Sequence, residues 1–349
     1  MTAASGSKVL LVGDFPPPNG GVATHVEELF HAVRAGGAHC EVLDIGKGQL
    51  PADGVVPAGS MARFSALLGT YAARGFRVHV HTSGANPRSW MLAQACAAAG
   101  RLSLGALITL HSGLLPAWIE EAPSRRALAR AVLLQFAHVI AVSEPIRDAL
   151  ARCGVGGVTV VPAFSREFVK PAAPPPGLAE VRAQARPLYC AMIAPRPEYG
   201  TGILLDAFAQ VRARLPEAAL ALYGPGSESV RAPGVHAFGE LQRPQALALM
   251  AACDVFVRPT LADGDSVSVR EALALGCRVV ATSVGHRPAE VRLVPPAAVG
   301  PLAEALVEAA GELASRPERA EALASSGGGL QQILSLYGVE AACAASAVS

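Results

Sequence analysis

Short apolar runs alternate along the chain with stretches whose apolar residues recur every three or four positions. The run 8–13 predicts a strand, and 21–35 places Val22, Val26, Leu29, Phe30 and Val33 at helical spacing, closed by Gly36 and Gly37. The same alternation predicts strands at 40–45, 76–82, 106–110, 138–142 and 158–161, with helices at 61–74, 89–99, 124–136 and 145–152 between them. Strands separated by helices need parallel crossovers, so the first half reads as a doubly wound sheet. Residues 162–187 contain a proline-rich stretch and little strand pattern, which marks a hinge. The theme then restarts, with strands expected at 188–194, 218–223, 255–258 and 278–282, helices at 204–214, 244–252 and 267–275, and helices from there to the end.

A length of 349 residues fits two domains, and 51% hydrophobic against 16% charged residues supplies two cores. The expected fold class is α/β, with two Rossmann-like doubly wound parallel-sheet domains facing across a cleft. Their expected spans are 1–165 and 166–335, followed by a helix or tail at 336–349. Ligands of such sheets sit beyond the carboxyl ends of the strands, so the loops there are the first place to look for chemistry. A net charge of +1 excludes the basic footprint of a nonspecific nucleic-acid binder. The longest apolar candidate, 128–142, is broken by Arg130, Gln135 and His138, and residues 1–7 lack the pattern of a secretion signal, so a cytoplasmic location is expected. The seven cysteines, Cys40, Cys96, Cys153, Cys190, Cys253, Cys277 and Cys343, show no metal-ligand spacing and read as reduced, buried apolar residues.

Four loops carry candidate chemistry. After the first strand, Gly20 and Gly21 enter a helix, where backbone N–H groups can meet an anion; the alternative is a tight turn that needs positive φ. The three-glycine dinucleotide fingerprint is absent, which disfavours a nicotinamide cofactor. His111 ends an apolar strand in Leu110-His111-Ser112, where an imidazole can donate to a sugar hydroxyl or phosphate; His79 and His81 alternate in the strand before it. Gly224 lies in the backbone-rich turn Tyr223-Gly-Pro-Gly226. The fourth loop follows Arg258 and contains Asp263, Asp265, Ser266 and Val267 ahead of Glu271 in the next helix. One acid can face a sugar, the other can take a vicinal diol, and N–H groups of 265–267 can hold phosphate at the helix entrance. Two other readings stay open at this point. Ser268 and Glu271 have capping-box spacing, and Asp263-Gly-Asp265 has the form of a two-aspartate metal clamp.

Taken together, these segments resemble family 4 of the retaining glycosyltransferases, which have the GT-B fold. The resemblance runs from about Lys8 to about Val291. It rests on Gly20-Gly21 followed by His25, on Leu110-His111-Ser112, Ala141-Val-Ser143, Val160-Val-Pro162 and Tyr223-Gly-Pro-Gly226, and on Asp263 and Glu271 where the family carries two glutamates separated by seven residues. It implies a nucleoside diphosphate sugar as donor and a glycan, lipid-linked saccharide or small natural product as acceptor. Glu271 would bind the ribose diol, Asp263 the sugar hydroxyls, Gly21 the diphosphate and His111 the sugar or phosphate. It also implies retention without a separate enzyme nucleophile, and neither a metal nor a further cofactor.

The chain departs from the family after the first strand of the second domain. Ala194 and Tyr199 stand where the family has an Arg and a Lys that neutralise the diphosphate, and Arg196 is the nearest replacement. Two other functions fit this pattern: a sugar-nucleotide epimerase on the same fold, and a non-catalytic accessory protein that has lost diphosphate neutralisation. Arg125, Arg126 and Arg130 cluster on one helix, which is read either as an ordinary surface helix or as a peripheral contact with the inner membrane face.

Overall fold

The computed structural model describes residues 6–17, 20–48, 50–312 and 328–339. They fall into two compact units, one formed by the chain up to Ser165 together with the segment from Gly327 onward, the other by Arg166–Ser326.

In the first unit, strands β1 (Lys8–Gly13), β2 (His39–Asp44), β3 (Val55–Pro57), β4 (Arg77–Thr82), β5 (Ala106–Leu110), β6 (His138–Ala141) and β7 (Thr159–Val160) alternate with helices. These are α1 (Gly21–Ala35), α2 (Met61–Ala73), α3 (Pro87–Gly100), α4 (Leu115–Glu120), α5 (Pro123–Leu133) and α6 (Glu144–Arg152). The strands pair in parallel in the order β3-β2-β1-β4-β5-β6-β7, with Val9 of β1 opposite Cys40 on one side and Arg77 on the other. Central strands are buried on both faces, which is why β1 and β5 read as continuous apolar runs rather than alternating ones. Helix α1 covers the sheet with Val26, Leu29 and Val33, all fully buried.

The second unit contains α7 (Leu178–Gln184), β8 (Leu188–Met192), α8 (Thr201–Arg214), β9 (Ala219–Tyr223), β10 (Val235–Ala237), α9 (Arg243–Ala252), β11 (Val255–Arg258), α10 (Val267–Ala274), β12 (Arg278–Thr282), β13 (Arg292–Val294) and α11 (Val299–Gly311). Its sheet is also parallel throughout, in the order β10-β9-β8-β11-β12-β13. The strand order reverses between β1 and β4 in one unit and between β8 and β11 in the other. Adjacent loops diverge at such points and leave a crevice at the strand ends.

The last described helix, α12 (Gly328–Tyr337), corrects the expected partition. The span 166–335 assigns most of this helix to the second domain, yet it packs with the first unit. There the Tyr337 hydroxyl is hydrogen-bonded to Nδ1 of buried His79, and Arg77 donates to the Leu336 carbonyl. Residues 340–349 of the expected tail, including Cys343, lie outside the described residues. The six other cysteines are buried.

Strands β3, β10 and β13 were not expected, and β13 overturns the reading that only helices follow 282. Each is three residues long and lies in the outer part of its sheet, too short to set up a readable period. Short helices α4 and α7 were missed for the same reason.

Candidate functional site

In the first unit, Gly20 and Gly21 follow the end of β1 at the switch point. The tight-turn reading of these glycines fails. Gly20 is extended, with φ −164°, and is the N-cap of α1, while Gly21 is the first helical residue. A Cβ added at Gly20 would meet nothing within 4 Å, so packing does not require glycine there. Gly20 provides no side-chain cap, and the first-turn N–H groups of α1 have no acceptor within the helix.

His111 follows β5, and its backbone N–H is held by the Thr82 carbonyl at 3.0 Å. Its Nε2 lies 3.2 Å from Nδ1 of His81, and His25 of α1 contacts both rings edge-on at 5.4 and 5.3 Å between centroids. His79 lies against His81 at 4.2 Å between centroids, tilted by 38°, and bonds Thr109 Oγ1 at 2.8 Å. Burial holds all four imidazoles neutral: His25 falls to about 4, His79 to about 3, and His81 and His111 well below the usual histidine range. Nδ1 of His25 and Nε2 of His81 are buried without a partner. Among the described residues, His25, His81 and His111 form the group whose ligand atoms, all within 4.8 Å of one another, could hold a metal ion.

The second unit carries the acid loop between β11 and α10. Glu271 faces inward from α10, with its side chain 8% exposed, and its Oε1 accepts from Arg243 Nε of α9 at 2.8 Å. Burial raises its pKa, and Arg243 offsets this only in part. The capping-box reading is therefore overturned. Ser266, not Ser268, is the N-cap, its hydroxyl meets that of Ser268 at 3.0 Å, and Glu271 is engaged by a cation. Val267 opens α10, whose first-turn N–H groups lack intrahelical acceptors.

Asp263 is committed within the loop. Its Oδ2 accepts from Arg258 Nε at 3.0 Å, Arg287 Nη2 at 2.9 Å and Thr260 Oγ1 at 3.2 Å, and its Oδ1 accepts from the Gly264 N–H at 3.0 Å. Burial alone would raise its pKa, but the two guanidiniums hold it below the usual carboxylate range. Asp265 pairs with Arg270 Nε at 2.8 Å. The aspartates thus serve different cations, and the two-aspartate clamp is not formed. Gly285 closes the back of the loop: an added Cβ would lie 2.2 Å from the Gly264 carbonyl oxygen, and His286 N–H donates to that oxygen at 2.9 Å.

Beside this loop, at the ends of β8 and β9, is a cavity of about 500 Å³ lined by Ala194, Arg196, Thr201, Gly226 and Leu261 among others. Arg196 is exposed at its edge. Gly224 is required by a close approach of strand ends, since its φ is +106° and an added Cβ would sit 2.2 Å from the Ile193 carbonyl oxygen. The family described as Glycosyltransferase Family 4 matches residues 19–164, and that described as Glycosyl transferases group 1 matches residues 186–312. The chain belongs to the GT-B glycosyltransferases.

Solved structures of similar fold cover nearly the whole chain. HepE of Anabaena, determined in complex with UDP, shares 18% identity over 96% of each chain, with a TM-score of 0.66. Sucrose-phosphate synthase of Thermosynechococcus elongatus shares 19% identity over 95% of each chain, with a TM-score of 0.62. WaaG, a glycosyltransferase involved in lipopolysaccharide biosynthesis, shares 14% identity over 94% of this chain and 99% of its own, with a TM-score of 0.67. No curated protein sequence matches the chain.

In this glycosyltransferase the second unit gathers Asp263, Asp265, Ser266, Val267 and Glu271 on one loop and helix start, with Arg196 and Gly224 on neighbouring loops of the same unit. Sequence reasoning missed Arg243 and Arg287, which bind the two key acids from 28 and 24 residues away. No local spacing encodes such pairs. On α5, Arg125 pairs with Glu121 and lies over the Trp118 ring at 5.0 Å, so it is committed within the fold, whereas Arg126 and Arg130 are exposed. Among the described residues no helix is long and apolar enough to cross a membrane.

Proposed function

We propose that this glycosyltransferase moves a hexose from a nucleoside diphosphate sugar to a glycan, lipid-linked or small-molecule acceptor, with retention and without a metal ion. The observation that carries this reading is the placement of Glu271. It is a buried carboxylate beside the first turn of α10, held by a side chain from another helix rather than by its own main chain. Arg243 engages Oε1 and so fixes the carboxylate, which can accept from a ribose diol while the N–H groups at the start of α10 attract phosphate. Leaving-group stabilisation by fixed donors then supplies the chemistry. The roles that the resemblance gives Gly21 and His111 stay part of this reading, and neutral His111 is able to donate to the sugar.

Glu271→Gln tests it. A charged hydrogen bond to a diol is worth about 1.5–3 kcal/mol, so calorimetry should show nucleoside diphosphate affinity roughly tenfold or more weaker. Unchanged affinity removes Glu271 from the site. Sugar transfer that persists in excess chelator supports the metal-free reading, and strict dependence on a divalent ion overturns it. The missing cations at 194 and 199 favour a second reading, a non-catalytic binding protein. Donor hydrolysis or transfer above background across an acceptor panel excludes that alternative.

A further inference from the structure

The charges around the acid loop do not balance. Three guanidiniums, of Arg258, Arg270 and Arg287, meet two carboxylates, of Asp263 and Asp265. Arg270 and Asp265 form one pair, so Arg258 and Arg287 share Asp263, and through a single oxygen. These side chains are only 10% and 3% exposed, and Nη1 of Arg258 is buried with no acceptor. A buried surplus cation with an unmet donor is costly unless an anion completes it.

The surplus lies behind the position where the family's lysine is missing. Tyr199 occupies that position, and the Arg258 guanidinium carbon is 5.1 Å from its ring centroid. The turn carrying Tyr199 is clasped to the end of β11. Leu261 N–H donates to the Glu198 carbonyl at 2.8 Å, and Gly200, at φ +66°, runs so close that an added Cβ would lie 2.1 Å from the Pro259 carbonyl oxygen. The backbone on both sides of Tyr199 is therefore fixed beside the strand end that carries Arg258. Arg196, by contrast, is exposed, where solvent and salt screen its charge.

We infer that Arg258, beneath the Tyr199 ring, and Arg287, joined to it through Asp263, supply the positive charge that meets the donor's diphosphate in place of the absent Arg and Lys; this rests on the donor-binding reading above. The Tyr199 phenol and the guanidinium behind it act as one unit, a hydroxyl donor backed by a cation. Asp263 is then a positioning residue that fixes the two arginines, not a ligand of the donor sugar.

The test is calorimetric titration of the full chain with UDP, UMP and uridine, with the adenosine and guanosine series in parallel, alongside thermal melts. Arg287→Gln should weaken diphosphate binding at least tenfold while changing nucleoside binding less than threefold, and Arg287→Lys should recover part of the loss. Asp263→Asn loosens the two arginines it fixes and should weaken UDP binding severalfold while changing uridine binding less than threefold. If Arg287→Gln does not fold, the contrast between UDP and uridine in Arg287→Lys decides alone. Wild-type UDP affinity in Arg287→Gln, equal losses for UDP and uridine, or Asp263→Asn that weakens only nucleotide-sugar binding each overturns the inference. A wild-type chain that binds nothing in any series overturns the donor reading itself.

Discussion

Arg243 Nε lies 2.8 Å from Oε1 of Glu271, joining α9 to α10 across 28 residues of sequence. Both side chains are largely buried, 15% and 8% exposed. Arg243→Ala should destabilise the second unit by roughly 3–5 kcal/mol, the usual cost of stranding one member of a buried pair. It should also raise the Glu271 pKa further, so that nucleotide binding by the variant needs a higher pH than in the wild type. Urea unfolding and calorimetry between pH 5.5 and 8 check both effects. Wild-type stability would show that the pair is incidental.

The histidine group makes the first unit sensitive to acid. Its imidazoles have folded-state pKa values below the ordinary 6.5, with His25 at about 4 and His79 at about 3. Above pH 6.5 folded and unfolded chains are both neutral at these positions. Below it the unfolded chain takes protons that the folded chain refuses, so stability is lost as pH falls from 6.5 towards 4. His25 and His79 should each contribute a loss of about 2 kcal/mol by pH 5. Glu271, whose pKa is raised, opposes the trend in part. Urea midpoints at pH 7.5 and 5.0 measure the difference, and His25→Gln should flatten it. Equal midpoints for the wild type would mean that the imidazoles are protonated in the folded state.

Two glycines should respond in opposite ways. Gly224→Ala places a methyl group 2.2 Å from a carbonyl oxygen at positive φ and should lower stability by more than about 2 kcal/mol. Gly20→Ala enters open space at an extended N-cap and should change stability by less than about 1 kcal/mol. A loss of donor turnover in a stably folded Gly20→Ala protein would mark that glycine as functional. Thermal melts and transfer assays on the two variants separate the cases.

Tyr337 joins α12 to His79 inside the first unit. Tyr337→Phe should cost about 1 kcal/mol for the lost hydrogen bond, and Tyr337→Ala about 3–5 kcal/mol as a cavity opens. Near-ultraviolet circular dichroism during thermal unfolding would report both. An unchanged melting temperature in Tyr337→Ala would mean that the helix is not needed to hold the unit together.

Most of the architecture was legible because central strands of covered parallel sheets are unbroken apolar runs, as in Val9–Val12 and Val255–Val257, set between helices with one apolar face. The acid loop was legible for a similar reason: Asp263, Asp265 and Glu271 are close in sequence and lie on one strand-loop-helix unit. The partners of those acids were not. Arg243 and Arg287 reach them through tertiary packing, and neither position stands out by spacing or by neighbours. Gly224 was read only as part of a backbone-rich turn, and the close approach of Ile193, thirty-one positions earlier, that requires glycine there is not encoded locally. Helix α12 was placed by sequence order, but a buried tyrosine facing a histidine in β4 determines where it docks.

The return of that helix has a consequence for synthesis on the ribosome. The first unit has its whole sheet once Val160 has been made, yet the tyrosine that bonds His79 is added only after the entire second unit has been translated. A nascent chain therefore receives the helix that packs on its N-terminal unit only after Arg166–Ser326 has been made, and a polypeptide stopped at residue 165 lacks the tyrosine partner of His79.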